Sequence, residues 1–295
     1  MLTRTPESFS LRAISNERSD CGEGPIWNST TGILSWVDIA GNKWHQVLLN
    51  SVTDTSTKTF RVSTVIGAIV ERSGGGYFAA VKEGFGLISA NGLYSSDISF
   101  LSANERMNDA KADSAGRYWA GSCELGFAPG QGKLHMIDEN KVIRTMETGL
   151  TLPNGLGWSP DNRSFYFVDS MQHVMWKYDF DLESGDISNR RVLITFADDG
   201  SVPDGMCVSD DGSLFVAMWG GYRVEVYSSD GVLKEVIPVP VQQPSSCAFA
   251  GKDGKTLIVT SASGGTNIVT EPLNGLPLAI DGLGYSGQES TVFHG

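Results

Sequence analysis

The stretch Leu156–Ser170, LGWSPDNRSFYFVDS, decides the fold. Residues on either side of Pro160-Asp161-Asn162 favour extended chain, and the aromatic run after the turn suits a pleated, packed surface. The segment reads as strand, tight turn, strand. The same pattern recurs as PIWNSTTGILSWVD from Pro25, IVERSGGGYFAAVKEG from Ile69, AKADSAGRYWAGS from Ala110, MCVSDDGSLFVAMWGG from Met206 and AFAGKDGKTLIVTSAS from Ala248. The turn residues Gly32, Gly75, Gly116, Asn162, Gly212 and Gly254 are 43, 41, 46, 50 and 42 residues apart. That period is the length of a four-stranded propeller blade. Six such units span the chain, and no stretch shows a capped helical period.

The sequence therefore predicts an all-β protein, a six-bladed β-propeller occupying residues 1–295 as one domain. A two-sheet sandwich does not generate a regular repeat of this length. A ring must join its ends, because an open strand edge invites pairing with other chains. The alternating segment Phe9–Ser15, FSLRAIS, is expected to close the last blade as an N-terminal strand over about residues 9–15. Gly284–Gly295 carries no pattern and reads as loose.

Composition limits the partners. The 34 acidic against 22 basic residues give a formal net charge of −12, which repels nucleic-acid backbones and anionic lipid. A cation or a neutral small molecule suits that field, while most of the acids serve solubility. Cys21, Cys123, Cys207 and Cys247 form no C-x-x-C pair and read as reduced, half-buried thiols. No signal peptide or membrane span is visible, so a cytoplasmic location is expected and the two N-x-S/T matches, at Asn28 and Asn162, are discounted.

In a propeller the first strand of each blade lines the central channel, so equivalent repeat positions converge in space. Eight residues before each turn stand Gly67, Asn108, Asn154, Asp204 and Ser246, and nine before the first stands Glu23. Pro153-Asn154-Gly155 and Pro203-Asp204-Gly205 share a local frame in which proline stiffens the approach and glycine permits a sharp turn. Taken singly, each triplet is turn punctuation. Glu23, Asn154 and Asp204 in one phase instead offer two carboxylates and an amide oxygen, a set that hard divalent cations take. The expected cofactor is one divalent metal ion, Ca²⁺ foremost, with Mg²⁺, Mn²⁺ or Zn²⁺ also admitted. Asn108, one step round the ring, faces bound water or substrate.

Other chemistries lack their residues. There is no G-x-S-x-G elbow, and His45, His135, His173 and His294 share no spacing or phase. Gly251–Thr256 imitates the end of a phosphate loop but lacks the earlier glycine and sits between two strands. Trp119, Trp158 and Trp219 recur in strands and are expected in the core between blades.

The blocks C-G-E-G-P-x-W from Cys21, R-x-N-D from Arg106, L-P-N-G-L-G-W-S-P-D from Leu152 and P-D-G from Pro203 resemble the regucalcin, or senescence marker protein, and gluconolactonase family. The likeness runs through nearly the whole chain, with the blocks in order. It implies a hydrolase that opens a sugar lactone to the aldonic acid, a gluconolactonase-like enzyme using one divalent metal held by Glu23, Asn154 and Asp204. It also implies Arg106 and Asn108 as substrate contacts and carries over Glu124, displaced in register, as a third. In that reading the cation polarises the lactone carbonyl, and Asp204 or a metal-bound hydroxide is the base. Two other readings stay open: a non-enzymatic propeller that binds calcium or a protein partner, and a phosphotriesterase or arylesterase using the same metal.

Overall fold

The computed structural model of the chain describes residues 2–49, 56–288 and 290–295. Their secondary structure is almost entirely β, with two short 3₁₀ turns at Pro6–Ser8 and Ser170–Gln172. Six antiparallel sheets are present, and each starts on an inner strand. In blade order these inner strands are Gly22–Asn28, Ile66–Glu71, Glu105–Ala112, Pro153–Trp158, Val202–Val208 and Pro244–Ala250. Every inner strand touches the next, and the sixth touches the first, which closes a six-bladed propeller. All six expected turn residues have positive φ, from 56° at Asn162 to 86° at Gly75. That is the left-handed geometry that selects Gly and Asn in hairpin loops.

Second strands such as Tyr77–Val81 are buried along their whole length, because blades pack on both faces. Outer strands are far more exposed, as at Thr57–Arg61. Between blades 3 and 4, Trp119 meets Trp158 edge to face at 5.9 Å and Phe165 at 5.2 Å. Between blades 1 and 2, Trp44 packs on Tyr77 at 4.8 Å. Such large rings help fill the widening wedge between blades.

The chain ends are tied into the ring. Ser10–Ala13 pairs antiparallel with Leu278–Asp281 as the outermost strand of blade 6, with Leu11 opposite Ile280. Leu2–Thr3 adds a fifth, parallel strand to blade 5. The expectation of a loose end after Gly284 is corrected by Phe293. Its ring is fully buried and stacks on Phe78 at 4.5 Å, while Arg72 Nε donates to the Gly295 carbonyl at 2.8 Å. The widely spaced Tyr285 and Phe293 in this mostly polar segment give no periodic signal, although Phe293 inserts between blades 2 and 3. The four cysteines are free, with Cys21 half-buried and the others buried.

Candidate active site

The six inner strands share a feature absent from any local motif. Each breaks register with its second strand nine or ten residues before its turn: after Glu23, Ile66, Met107, Pro153, Pro203 and Pro244. Such bulges bend the strand and re-aim the side chains beside them. Asn108, Asn154 and Asp204 lie within these irregularities, and Glu23 is the last paired residue before its own. Neighbouring strands come so close there that a Cβ on Gly155 would sit 2.6 Å from the Asp204 carbonyl oxygen. Only glycine fits.

Two aspartates fix the approach to the bulges. Asp38, fully buried, accepts the backbone N–H groups of Asp20 and Cys21, both at 3.0 Å, just before Glu23. Asp169 does the same for Thr151 at 2.8 Å and Leu152 at 3.0 Å, just before Asn154. The two carboxylates occupy equivalent places at the ends of the second strands of blades 1 and 4.

Glu23, Asn108, Asn154 and Asp204 are each no more than 6% exposed, and with Arg106 they line one cavity of about 250 Å³. Asn154 Nδ2 donates to Ser170 Oγ at 3.0 Å, which leaves its Oδ1 buried with no hydrogen-bond donor. Asp204 Oδ1 is likewise buried and unpartnered. Glu23 Oε2 accepts the Gly24 N–H at 3.2 Å. Burial, reinforced by the Asp204 and Asp109 charges, holds the Glu23 carboxyl well above the usual carboxylate range. Burial and then Asp109 do the same to Asp204. The Cys21 thiol at the rim is also pushed up, by burial and then by Glu23 and Asp204.

Arg106 Nη1 donates to Asn108 Oδ1 at 2.8 Å and to the Met107 carbonyl at 2.9 Å, and the guanidinium stands 5.8 Å from the Phe127 ring centroid. Asn108 Nδ2 is occupied by the Pro153 carbonyl at 2.8 Å. Of the positions carried over from the family, the structure brings five together and leaves Glu124 out. Glu124 Oε2 accepts the backbone N–H groups of Gly126 at 2.7 Å and Ala128 at 3.2 Å, so it caps its own loop, and Phe127 lines the cavity instead. Trp219, expected in the core, also lines the cavity because it ends its strand beside the mouth.

Asp109, beside Asn108, lines not this cavity but a separate one with Lys111, and reaches the site through its charge. It is 7% exposed, its carboxyl is raised by burial and eased by Lys111, and its charge acts on Glu23 and Asp204. Its signal was the adjacency to Asn108 in one bulge, which a count of one residue per blade cannot register.

Among the described residues no three His, Cys, Asp or Glu side chains gather as a metal cluster. The floor instead combines two carboxylates with an amide oxygen. Two buried oxygens without donors, beside carboxyl groups that repel each other, suit a hard cation, since buried polar atoms in native proteins find partners.

A closed six-bladed propeller with an oxygen-rich, partly charged pocket at the mouth of its channel is the class that this fold and site define. The chain belongs to the SMP-30/gluconolactonase/LRE-like family, whose model matches residues 21–263. It is 32% identical over 295 residues to regucalcin of Oryctolagus cuniculus, covering 95% of this chain and 97% of that one. Among solved structures it is similar to a luciferin-regenerating enzyme, with TM-score 0.88 and 26% identity over 97% of this chain and 99% of that one. A regucalcin from Agrobacterium tumefaciens shares the fold with TM-score 0.91 at 23% identity, over 99% and 98% of the two chains. Among the described residues no helix is long and apolar enough to cross a membrane.

Proposed function

We propose that this protein hydrolyses a lactone, with a divalent cation held by Glu23, Asn154 and Asp204. The observation that carries the reading is the pair of buried, donor-free oxygens, Asn154 Oδ1 and Asp204 Oδ1, at the floor of the cavity beside the Glu23 carboxyl. Membership of a family described by gluconolactonase supports the reaction class.

When bound, a cation there supplies Lewis-acid polarisation of an ester carbonyl. All-oxygen donors place Ca²⁺ first, with Mg²⁺, Mn²⁺ and Zn²⁺ as alternatives. Glu23 and Asp204 supply two negative charges, and Asn154 a neutral oxygen held in place by Ser170. Asp204 accepts a proton from the attacking water as general base, a role worth about 10² to 10⁴ in rate. Arg106, steadied by Asn108, donates toward the oxygen that gains charge as the tetrahedral intermediate forms. The apolar residues at the mouth exclude bulk water and strengthen both effects.

The test is a pH-indicator assay on a panel of lactones, aldonolactones first because the family resemblance implies them, before and after chelation and with each cation restored. Turnover that disappears with chelator and returns with metal is expected. Metal binding without turnover of any lactone contradicts the reading and favours a calcium- or partner-binding propeller.

A further inference from the structure

The wall of this cavity differs in chemistry from its floor. Above Glu23, Arg106, Asn108, Asn154 and Asp204 the lining side chains are chiefly Ile39, Phe127, Leu152, Met171, Val202 and Trp219. They come from four blades, at strand ends, in the loops that join second to third strands or, for Leu152, in the connection leading into blade 4. Val202 and Trp219 pair directly across the first two strands of blade 5. Phe127 sits at φ 58°, a left-handed conformation that costs a bulky residue and persists only where surroundings impose it. That strained backbone keeps its ring in the lining, beside the Arg106 guanidinium.

Polar groups in the wall are few. Ser170 Oγ is engaged by Asn154, and the rest are the Cys21 thiol and the Trp219 indole N–H. Asn108 has both ends of its amide engaged, and Glu124 is turned into its own loop. A ring carrying several hydroxyls finds few partners here, whereas an alkyl or aryl substituent meets mostly apolar side chains, in a wall that stays partly open, with Met171 48% exposed. At about 250 Å³ the space lies just under the roughly 300–1,000 Å³ usual for drug-sized ligands, so the guest is a small molecule.

From this wall we infer that the preferred substrate is a lactone bearing an apolar substituent, with its ester group on the polar floor and its alkyl or aryl group against Phe127, Met171 and Trp219. This rests on the lactone-hydrolase reading and narrows its substrate class away from polyhydroxylated sugar lactones. Each methylene covered by the wall adds roughly fourfold to kcat/KM. An apolar pocket rejects a hydroxyl in place of a methyl group by about 10².

The experiment compares γ-butyrolactone, γ-hexalactone, γ-nonalactone and glucono-δ-lactone at saturating Ca²⁺ or Mn²⁺. In parallel the γ-butyrolactam series with matching alkyl chains, which resists hydrolysis, is titrated by Trp fluorescence and calorimetry. The expected result is kcat/KM rising about 15-fold per two covered carbons, with glucono-δ-lactone about 10² or more below γ-nonalactone, and lactam affinity rising in step. In Met171→Gln, at a side chain 48% exposed and therefore tolerant of change, and in Val202→Thr, the nonalactone-to-butyrolactone ratio falls several-fold while the melting temperature stays within a few degrees. A flat or inverted series overturns the inference although lactone hydrolysis stands. Rising lactam affinity without turnover of any lactone supports the apolar wall and overturns the hydrolase reading alone.

Discussion

Ser170 Oγ accepts the Asn154 Nδ2 proton at 3.0 Å, and through that bond a 3₁₀ turn in blade 4 determines which atom of the amide remains without a donor. In Ser170→Ala the amide loses this tether and rotates. Outer partners of metal ligands typically contribute 10–100-fold in affinity. Calcium or manganese affinity is expected to fall about tenfold, with kcat largely restored at saturating metal. A calorimetric titration paired with rates across metal concentration checks this, and unchanged affinity contradicts it.

Burial, followed by the Asp204 and Asp109 charges at Glu23 and by the Asp109 charge at Asp204, holds both carboxyls above the ordinary carboxylate range of about 4. As pH rises through that value the unfolded chain releases its protons first, while the folded, cation-free protein retains them. The folded state then binds more protons, so its stability falls with rising pH until the folded groups ionise as well. Melting temperatures of chelator-treated protein between about pH 4 and 8 are expected to decline more steeply for wild type than for Asp204→Asn. Cation affinity rises over the same window, because binding displaces those protons. Parallel pH profiles for the two proteins contradict the assignment.

Asp169 holds two consecutive N–H groups ahead of Asn154, and Asp38 holds two ahead of Glu23. Replacing Asp169 by Ala strands both buried donors, at about 1–3 kcal/mol each. Urea unfolding of Asp169→Ala is expected to show a loss of about 2–6 kcal/mol together with weaker metal binding. Asp169→Asn, which keeps one carbonyl acceptor, recovers part of both. A variant as stable as wild type removes these anchors from the account.

The repeat made the ring legible from sequence, because the turn chemistry at Asn162 and its five equivalents is local and propagates without reference to tertiary structure. The phase of Glu23, Asn154 and Asp204 is legible for the same reason: standing nine, eight and eight residues before equivalent turns brings the three to one end of the channel. The bulges were not legible. They arise where adjacent inner strands crowd, as where the Gly67 Cβ position lies 2.5 Å from the Asn108 carbonyl oxygen, and no one residue type marks all six, since proline precedes only three. Glu124 was misplaced because loop residues 124–128 fold on their own hydrogen bonds, which spacing does not record. Trp219 read as core because strand membership does not reveal that its strand ends at the cavity. Phe293 escaped notice because its partners Phe78 and Tyr118 are about 200 residues away in sequence.

The central claim is that side chains from blades 1, 4 and 5 hold one ion. Anomalous diffraction from crystals soaked in Mn²⁺ tests it most directly. A single strong peak about 2.0–2.6 Å from oxygens of Glu23, Asn154 and Asp204 is the predicted result. Full-occupancy manganese bound elsewhere, with none at these three residues, would contradict it.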